Sequence, residues 1–333
     1  MKRLIAAAAL AATLAGCGGS GSSSRSIVLY NGQHLQLTQA FIAGFKKATG
    51  ISVQLRTNDS LVLATQILQE GGGSPADVYL SENSPELETL SKHGVLARLP
   101  ASILDQIPRA DESPAGDWVG VALRVSSLAY DPSLLARSSL PRSVLDLAQP
   151  RWNGKVAIAP TDSDFPPVVG AVITTYGMKA ATAWLTGLKR NAQVYQDEEA
   201  VVAAVNRGSV ASGLINQYYW YRLRLETRAG GMHSALYFFP GHDPGSITNI
   251  SGAAVLASSR HKDDAERFVR FLVGAAGQKI LAASDDFEYP ARPGIAANPA
   301  LPPLDSVSHA AVPVRRLGDD DSAAKLIQKV GLT

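Results

Sequence analysis

The sequence predicts an α/β fold of two lobes joined by strands that cross between them. Strand-like and helical patterns alternate in two series, one before residue 118 and one after Pro150. Such alternation is typical of mostly parallel sheets with right-handed crossovers and helices on both faces. Two long extended stretches, residues 118–130 and 247–256, have the character of hinge strands. Two independent tandem domains are the alternative that these patterns leave open.

The first series predicts three strands, each followed by a helix. Leu37, Phe41 and Phe45 recur at a spacing of four, which predicts a helix that ends at Gly50. Ser60 is the predicted N-cap of the second helix. The remaining predicted elements are strands over residues 27–30, 51–55 and 76–80 and a helix over 86–92.

The second series predicts the other lobe. Its elements are strands over residues 155–159 and 210–215 and helices over 167–176, 179–189 and 197–206. The chain is then expected to return to the first lobe near Ser251 and to finish on the second. The predicted limits are 26–125 plus 249–295 for the N-terminal lobe and 126–248 plus 296–333 for the C-terminal lobe.

The N-terminus resembles a bacterial lipoprotein leader. Lys2 and Arg3 precede an apolar run over residues 4–15, which is too short to span a bilayer as a stable helix. Cys17 follows small residues and precedes a Gly/Ser-rich tether. We therefore expect a signal peptide over 1–16 and a lipidated Cys17 at the start of a tether over 17–25. Ordinary secretory cleavage with a free thiol is the alternative, and both place the protein outside the cytoplasm, in the periplasm or at the cell surface.

Charge and motifs argue against two function classes. The 31 Lys and Arg residues face 29 Asp and Glu residues, without the clustered basic face that a nucleic-acid binder requires. No nucleophile elbow, zinc-binding H-E-x-x-H helix, phosphate loop or dinucleotide fingerprint is present in the sequence. Only scattered acids and serines support an extracellular hydrolase, so the prediction is a protein that is not an enzyme.

Four side chains form a candidate metal site. His34 follows the first predicted strand and Glu82 follows the third, and strand ends of this kind line the ligand crevice of open α/β sheets. Tyr218 and Tyr219 lie at a strand-to-helix junction, where a change of backbone direction lets both rings point at one spot. These hard, oxygen-rich donors favour an ion such as Fe(III), which would deprotonate both phenols. Aromatic packing is the alternative for the two tyrosines.

The motifs, taken in order, resemble those of the bacterial ferric-ion-binding proteins, which are the substrate-binding components of iron(III) ABC transporters. The resemblance covers roughly residues 27–331. It rests on the segments at residues 30–34, 74–78, 81–82, 150–152, 216–220, 243–245 and 251–256. It implies a bilobal periplasmic-binding-protein fold of class II that closes on Fe(III), held by His34, Glu82, Tyr218 and Tyr219. It also implies delivery of the iron to an inner-membrane permease by a monomer.

One region departs from the pattern that the resemblance implies. Many members of that family complete the iron coordination with a phosphate held by a Ser-Gly-Ala turn and two asparagines. Here the turn reads Asp162-Ser163-Asp164, one asparagine is Asn216, and the other corresponds approximately to Glu198. Added carboxylates would repel phosphate, so we expect iron binding without it. One of these acids or water would complete the coordination, and Asp162 is the favoured ligand.

Two alternatives remain open from the sequence. The acids could point to solvent while phosphate still binds through Asn216 and backbone amides. The same fold also serves receptors for organic solutes such as sugars, polyamines and organic anions, so the fold itself does not identify the ligand.

Overall fold

The structure is a computed structural model that describes residues 25–227, 230–308, 312, 317 and 321–332. The predicted signal peptide, Cys17 and all of the tether except Arg25 lie outside the described residues. Within the described residues, no helix combines the length and the apolar character needed to cross a bilayer.

Strands and helices alternate along most of the described chain. The strands are β1 (Ser26–Asn31), β2 (Ser52–Thr57), β3 (Val78–Ser81), β4 (Trp118–Tyr130), β5 (Val156–Ile158), β6 (Ala192–Val194), β7 (Ser212–Asn216), β8 (Ala235–Tyr237), β9 (Thr248–Val255) and β10 (Tyr289–Pro290). The helices are α1 (Leu35–Thr49), α2 (Ser60–Glu70), α3 (Ser84–Lys92), α4 (Ala101–Leu104), α5 (Phe165–Asn191), α6 (Glu198–Asn206), α7 (Gln217–Glu226), α8 (Lys262–Val273), α9 (Ala275–Ala282), α10 (Leu304–Val307) and α11 (Asp321–Val330).

One continuous path of strands runs through both halves of the molecule, in the order β2-β1-β3-β9-β4-β7-β5-β6. Strand β4 pairs with β9 as far as Val125 and with β7 from Ser126 onward. We call the half containing β1, β2, β3 and β9 lobe one and the half containing β5, β6 and β7 lobe two. Because the two halves share β4, they are not independent tandem domains. The predicted α/β fold with two lobes and a crossing strand is confirmed.

Helix α1 shows how the sequence pattern builds lobe one. Leu37, Phe41 and Phe45 are buried on the face that packs against the sheet. Gly50 ends the helix in the left-handed conformation, with φ of 74°, and its N–H donates to the carbonyl of Lys46. The helix begins at Leu35, shortly after β1 ends at Asn31. His34 therefore lies close to the end of that strand.

One local feature differs from the predicted elements, and a second agrees with them. The N-cap of α2 is Asp59, whose carboxylate accepts hydrogen bonds from the N–H groups of Leu61 and Val62, rather than Ser60. Ser60 is instead buried, and its hydroxyl accepts a 2.9 Å hydrogen bond from the N–H of Glu82. The two helices predicted over 167–189 lie within α5, which is broken at Gly177 by a positive φ of 82°.

Candidate metal centre

The ends of three strands bring the predicted ligands to one place. Strands β1 and β3 are parallel neighbours, so the residues that follow them lie at the same edge of the sheet. His34 follows β1 and Glu82 follows β3, while Tyr218 and Tyr219 occupy the first turn of α7 directly after β7. The site therefore takes two side chains from lobe one and two from lobe two.

Three of these side chains meet at one oxygen atom. Oε1 of Glu82 lies 3.4 Å from Nε2 of His34 and accepts a 3.0 Å hydrogen bond from the hydroxyl of Tyr218. The Tyr219 ring lies against the Tyr218 ring with centroids 4.1 Å apart. His34 and Glu82 keep side-chain exposures of 14% and 16%, so solvent reaches the site from their side.

Electrostatics around His34 and Glu82 favour their charged forms. Burial alone would lower the pKa of His34, but the carboxylates of Asp286, 3.0 Å from Nδ1, and Glu82 raise this pKa to about 10. Burial alone would raise the pKa of Glu82, but His34, Arg124 and the Tyr218 hydroxyl lower it to about 2. Without metal, a proton on His34 thus occupies the position where a cation is needed, and a metal ion must displace it.

The two tyrosines are protonated in the absence of a metal ion. Burial raises the pKa of both phenols well above the ordinary value, and the carboxylates of Asp164 and Glu82 raise it further. Phenolate formation here therefore requires a strong positive charge close to the oxygen atoms, such as a trivalent metal ion supplies.

The acidic turn contains two carboxylates with different surroundings. Asp162 accepts hydrogen bonds from the backbone N–H of Glu198 at 2.9 Å and of Asp164 at 3.1 Å, so its carboxylate holds the turn together. Asp164 accepts a 2.9 Å hydrogen bond from the Tyr218 hydroxyl through Oδ2, and its buried Oδ1 has no hydrogen-bond partner. The geometry therefore favours Asp164, rather than Asp162, as the carboxylate that could reach a metal ion.

Glu198 and Asn216 lie behind this turn. Oε2 of Glu198 accepts a 2.5 Å hydrogen bond from the N–H of Asn216, and burial together with Asp164 and Asp162 raises the Glu198 pKa. The buried Nδ2 of Asn216 has no partner within ordinary hydrogen-bond distance among the described residues, but it faces the Asp164 carboxyl, whose pKa is raised overall by burial and lowered in part by Asn216. Glu198 and Asp164 are both buried, so neither points to solvent. This disagrees with the alternative in which the acids turn to solvent and leave room for a phosphate.

The structure adds residues that the sequence argument missed. Arg124 is fully buried beside Glu82, Asp286 approaches His34, and Glu288 approaches Arg124. The sequence does contain a signal for Arg124, which is the one charged residue in the stretch over 118–130. A buried guanidinium group needs anionic partners, so its position predicts acidic side chains nearby. The Asp-Asp-Phe-Glu run over 285–288 was another, but its approach to the site depends on the tertiary fold.

Carboxyl groups outnumber cations in this region. The carboxyl groups near the four predicted ligands or within the acidic turn belong to Glu82, Asp162, Asp164, Glu198, Asp286 and Glu288. The positive groups among them are Arg124 and protonated His34. Among the described residues, no group of three or more His, Cys, Asp and Glu side chains is arranged to hold a metal ion by itself. The arrangement suits a highly charged cation whose coordination includes phenol oxygens.

Comparison with known proteins gives consistent matches over nearly the whole chain. A model of the bacterial extracellular solute-binding protein family matches residues 73–319. The Fe(3+)-binding periplasmic protein of Serratia marcescens is 38% identical over 311 residues, which cover 93% of this chain and 92% of that protein. The major ferric iron-binding protein of Neisseria meningitidis serogroup B is 37% identical, with 92% and 93% covered.

A solved structure gives the same picture. Iron-bound HitA from Pseudomonas aeruginosa superimposes with a TM-score of 0.88 at 40% identity, over 92% of this chain and 99% of that one. The similarity therefore covers both lobes and the segments that carry the candidate metal centre.

Proposed function

Because the chain belongs to the bacterial extracellular solute-binding protein family, and within it to the ferric-ion-binding proteins, we propose that it captures Fe(III) between its lobes and delivers it to an ABC-transporter permease. The relatives are binding proteins of transport systems, and the chain is not an enzyme. The proposed ligands are His34, Glu82, Tyr218 and Tyr219.

One observation carries this proposal. Nε2 of His34 and the Tyr218 hydroxyl, from different lobes, both approach Oε1 of Glu82 within 3.4 Å, so one cation at this point would contact donors from both lobes. With the Tyr219 phenolate added, three negative charges balance a trivalent ion. Fe(III) is a hard cation, and carboxylate and phenolate oxygens are hard ligands.

Iron capture then releases protons. Each phenol must lose its proton to become a ligand, and the His34 nitrogen that faces Glu82 must lose its proton as well. The raised phenol pKa values favour the protonated, metal-free form, so a falling pH is expected to promote iron release.

We further propose that no phosphate is needed, because the protein supplies its own anion. Asp164 already contacts Tyr218, and its second oxygen has no hydrogen bond. A carboxylate at this position repels an incoming phosphate and also adds a fourth negative ligand, whose charge Arg124 offsets at 3.7 Å. Asn216, Asp162, Ser163 and Glu198 would then support Asp164 rather than hold a free anion.

The cellular setting completes the proposal. The lipoprotein-like segment around Cys17 supports anchoring by lipid to a membrane, with the binding lobes outside the cytoplasm, and we propose that the anchored protein is a monomer. We keep the lobe limits of 26–125 plus 249–295 and 126–248 plus 296–333, of which the boundary at 125/126 is supported by the change in the pairing partner of β4 between Val125 and Ser126.

A titration with ferric citrate tests the proposed function. The purified protein should acquire a visible phenolate-to-iron charge-transfer band that saturates at one equivalent. Ga(III), which has a similar size and charge but no such transition, should compete and remove the band. A protein that stays colourless and does not retain iron on desalting would contradict the proposal and favour an organic solute as the ligand.

A further inference from the structure

Arg124 lies where the two lobes meet, and its side chain is completely buried. It is the residue before Val125, after which β4 passes from its lobe-one partner to its lobe-two partner. Nη1 donates a 2.7 Å hydrogen bond to Glu288. This pair fixes one side of the guanidinium group and leaves Nη2 facing the loop that carries Glu82.

On the lobe-one side, Nη2 of Arg124 holds the backbone around the proposed ligand. It donates to the backbone carbonyl of Glu82 and, at 2.9 Å, to Oδ1 of Asn83. The same Oδ1 accepts a hydrogen bond from Nδ2 of Asn249. Two donors on one oxygen leave a single sensible orientation for the Asn83 amide, with its NH₂ group pointing away from Arg124.

That NH₂ group points across the cleft. Nδ2 of Asn83 lies 3.3 Å from the carbonyl and 3.2 Å from the hydroxyl of Ser163, which belongs to the acidic turn of lobe two. Arg124 itself lies 3.7 Å from Asp164 and 5.8 Å from the centre of the Tyr218 ring. A single guanidinium group therefore touches or orients groups from both lobes.

We propose that Arg124 is a positioning residue for metal capture, which fixes the Glu82–Asn83 loop and, through the Asn83 amide, joins it to the Ser163–Asp164 turn of the other lobe. This inference rests on the proposed Fe(III) function. It assigns to Arg124 a role in preorganising the ligands rather than in binding the metal.

The geometry also explains why a positive charge at position 124 would not be enough to position the ligands. The planar guanidinium group donates in several fixed directions, whereas a lysine ammonium group is a compact charge on a flexible chain. Arg124→Lys keeps the positive charge near Glu288 and Asp164 but cannot hold Glu288, Asn83 and the Glu82 carbonyl together. This substitution therefore separates positioning from charge.

The experiment compares iron affinity and the charge-transfer spectrum of the wild type, R124K and a control, R151K. Arg151 is exposed, lies 3.9 Å from Asp146 and 6.0 Å from the centre of the Trp152 ring, and contacts none of the proposed ligands, so R151K should match the wild type. R124K should bind iron at least about tenfold more weakly, as residues that support metal ligands typically do. Its band should shift, because Tyr218 and Glu82 change their orientation. Wild-type affinity and spectrum in R124K would overturn the inference.

A second variant keeps the test decisive if R124K does not fold. Asn83→Leu preserves much of the volume but removes both the acceptor for Arg124 and the donor to Ser163. It should weaken iron binding in the same direction, and an unchanged affinity and band would contradict the proposal.

Hydrogen exchange of the metal-free protein separates this inference from the proposed function. The N–H of Glu82 is hydrogen-bonded to Ser60, and its exchange should be faster in R124K than in the wild type. The absence of an iron band in the wild type would contradict the proposed function. Unchanged protection of the Glu82 amide in R124K would contradict the role of Arg124, whatever the result for iron.

Discussion

The hydroxyl of Tyr218 in lobe two donates a 3.0 Å hydrogen bond to the carboxylate of Glu82 in lobe one. The two residues are 136 positions apart in the chain. We expect a metal ion to bind at this contact, because it would take the place of the phenol proton, which the hydroxyl shares between Glu82 and Oδ2 of Asp164 at 2.9 Å. We expect a metal ion that replaces this proton to strengthen the attraction between the lobes.

Tyr218 and Tyr219 should give rise to the visible charge-transfer band of the iron-bound protein. Y218F and Y219F each remove one phenolate while retaining most of the ring packing, so each should weaken the charge-transfer band. Iron affinity should fall by more than the roughly 10- to 100-fold that is typical of losing a supporting residue. Competition with a chelator gives the affinity, and the visible spectrum gives the band.

Tyr221 provides the matched control for these variants. It lies in the same helix, is buried and packs against Phe287 rather than against the proposed ligands. Y221F should keep both band and affinity. If Y218F and Y219F behave like Y221F, the two tyrosines serve only for packing.

Asp164 should make iron binding independent of phosphate. In the wild type, iron affinity measured by chelator competition should be the same in phosphate-free buffer and with added phosphate. D164N keeps the shape of the side chain but removes its charge, so it should bind iron more weakly and regain affinity when phosphate is added. A large gain for the wild type on adding phosphate would contradict this prediction.

Asp162 is the internal comparison for Asp164. Its carboxylate is already engaged by two backbone N–H groups, so D162N should affect the stability of the turn more than the charge at the metal. A larger loss of iron affinity in D162N than in D164N would return Asp162 to the role that the sequence first suggested.

Cys17 should attach the protein to a membrane. In cells, C17S should lose labelling by a radioactive or clickable fatty acid and move from the membrane fraction to the periplasm or the medium. Iron binding by the released protein should be unchanged, because the proposed ligands lie in the folded lobes. Retention of C17S in the membrane fraction would show that another feature holds the protein there.

Glu86 should make stability depend on pH. Its side chain is buried, Oε2 has no hydrogen-bond partner, and burial is the largest cause of a pKa raised to about 8 from an ordinary 4.5. The folded state thus holds this proton more tightly than the unfolded state does. The stability it contributes is complete below pH 4.5 and is lost as pH rises towards 8 and beyond.

Urea unfolding of the metal-free protein at pH 5, 7 and 9 tests this assignment. E86Q should be more stable than the wild type at pH 9 by about 1 kcal/mol or more, with the difference shrinking towards pH 5. E226Q supplies the control, because it removes a carboxylate at an exposed position instead of a buried one. A constant difference between E86Q and the wild type across this range would refute the role of Glu86.

Much of the fold could be predicted because it depends on local patterns. The spacing of Leu37, Phe41 and Phe45 and the glycine at position 50 are sufficient to define α1. The break at Gly177 was implied by the gap between two predicted helices. The cap of α2 was misplaced by one residue, because Asp59 and Ser60 are both good N-caps and only the tertiary contact of Ser60 with Glu82 decides between them.

The candidate site was only partly predictable, because some of its residues are brought together by tertiary contacts that no local pattern shows. His34 and Glu82 could be found as polar residues that follow strands, and the tyrosines as a pair at a junction. Asp286 and Glu288 reach the site from a distant segment, and Phe287 between them adopts a positive φ of 53° that no sequence pattern indicated. Such long-range approach is set by packing of the whole chain rather than by any local preference.

The pairing of β9 between β3 and β4 sets an order for folding during synthesis. The sheet of lobe one lacks β9 until residue 255 has been synthesised, whereas lobe two lacks α11, which packs against α5, until residue 330. At roughly 5–20 residues per second, the N-terminal strands wait for several seconds or longer for their partner. Lobe one is therefore expected to become protease-resistant first. Truncated chains that end at residue 300 should show a protected first lobe and a digestible second one, and the reverse pattern would contradict this order.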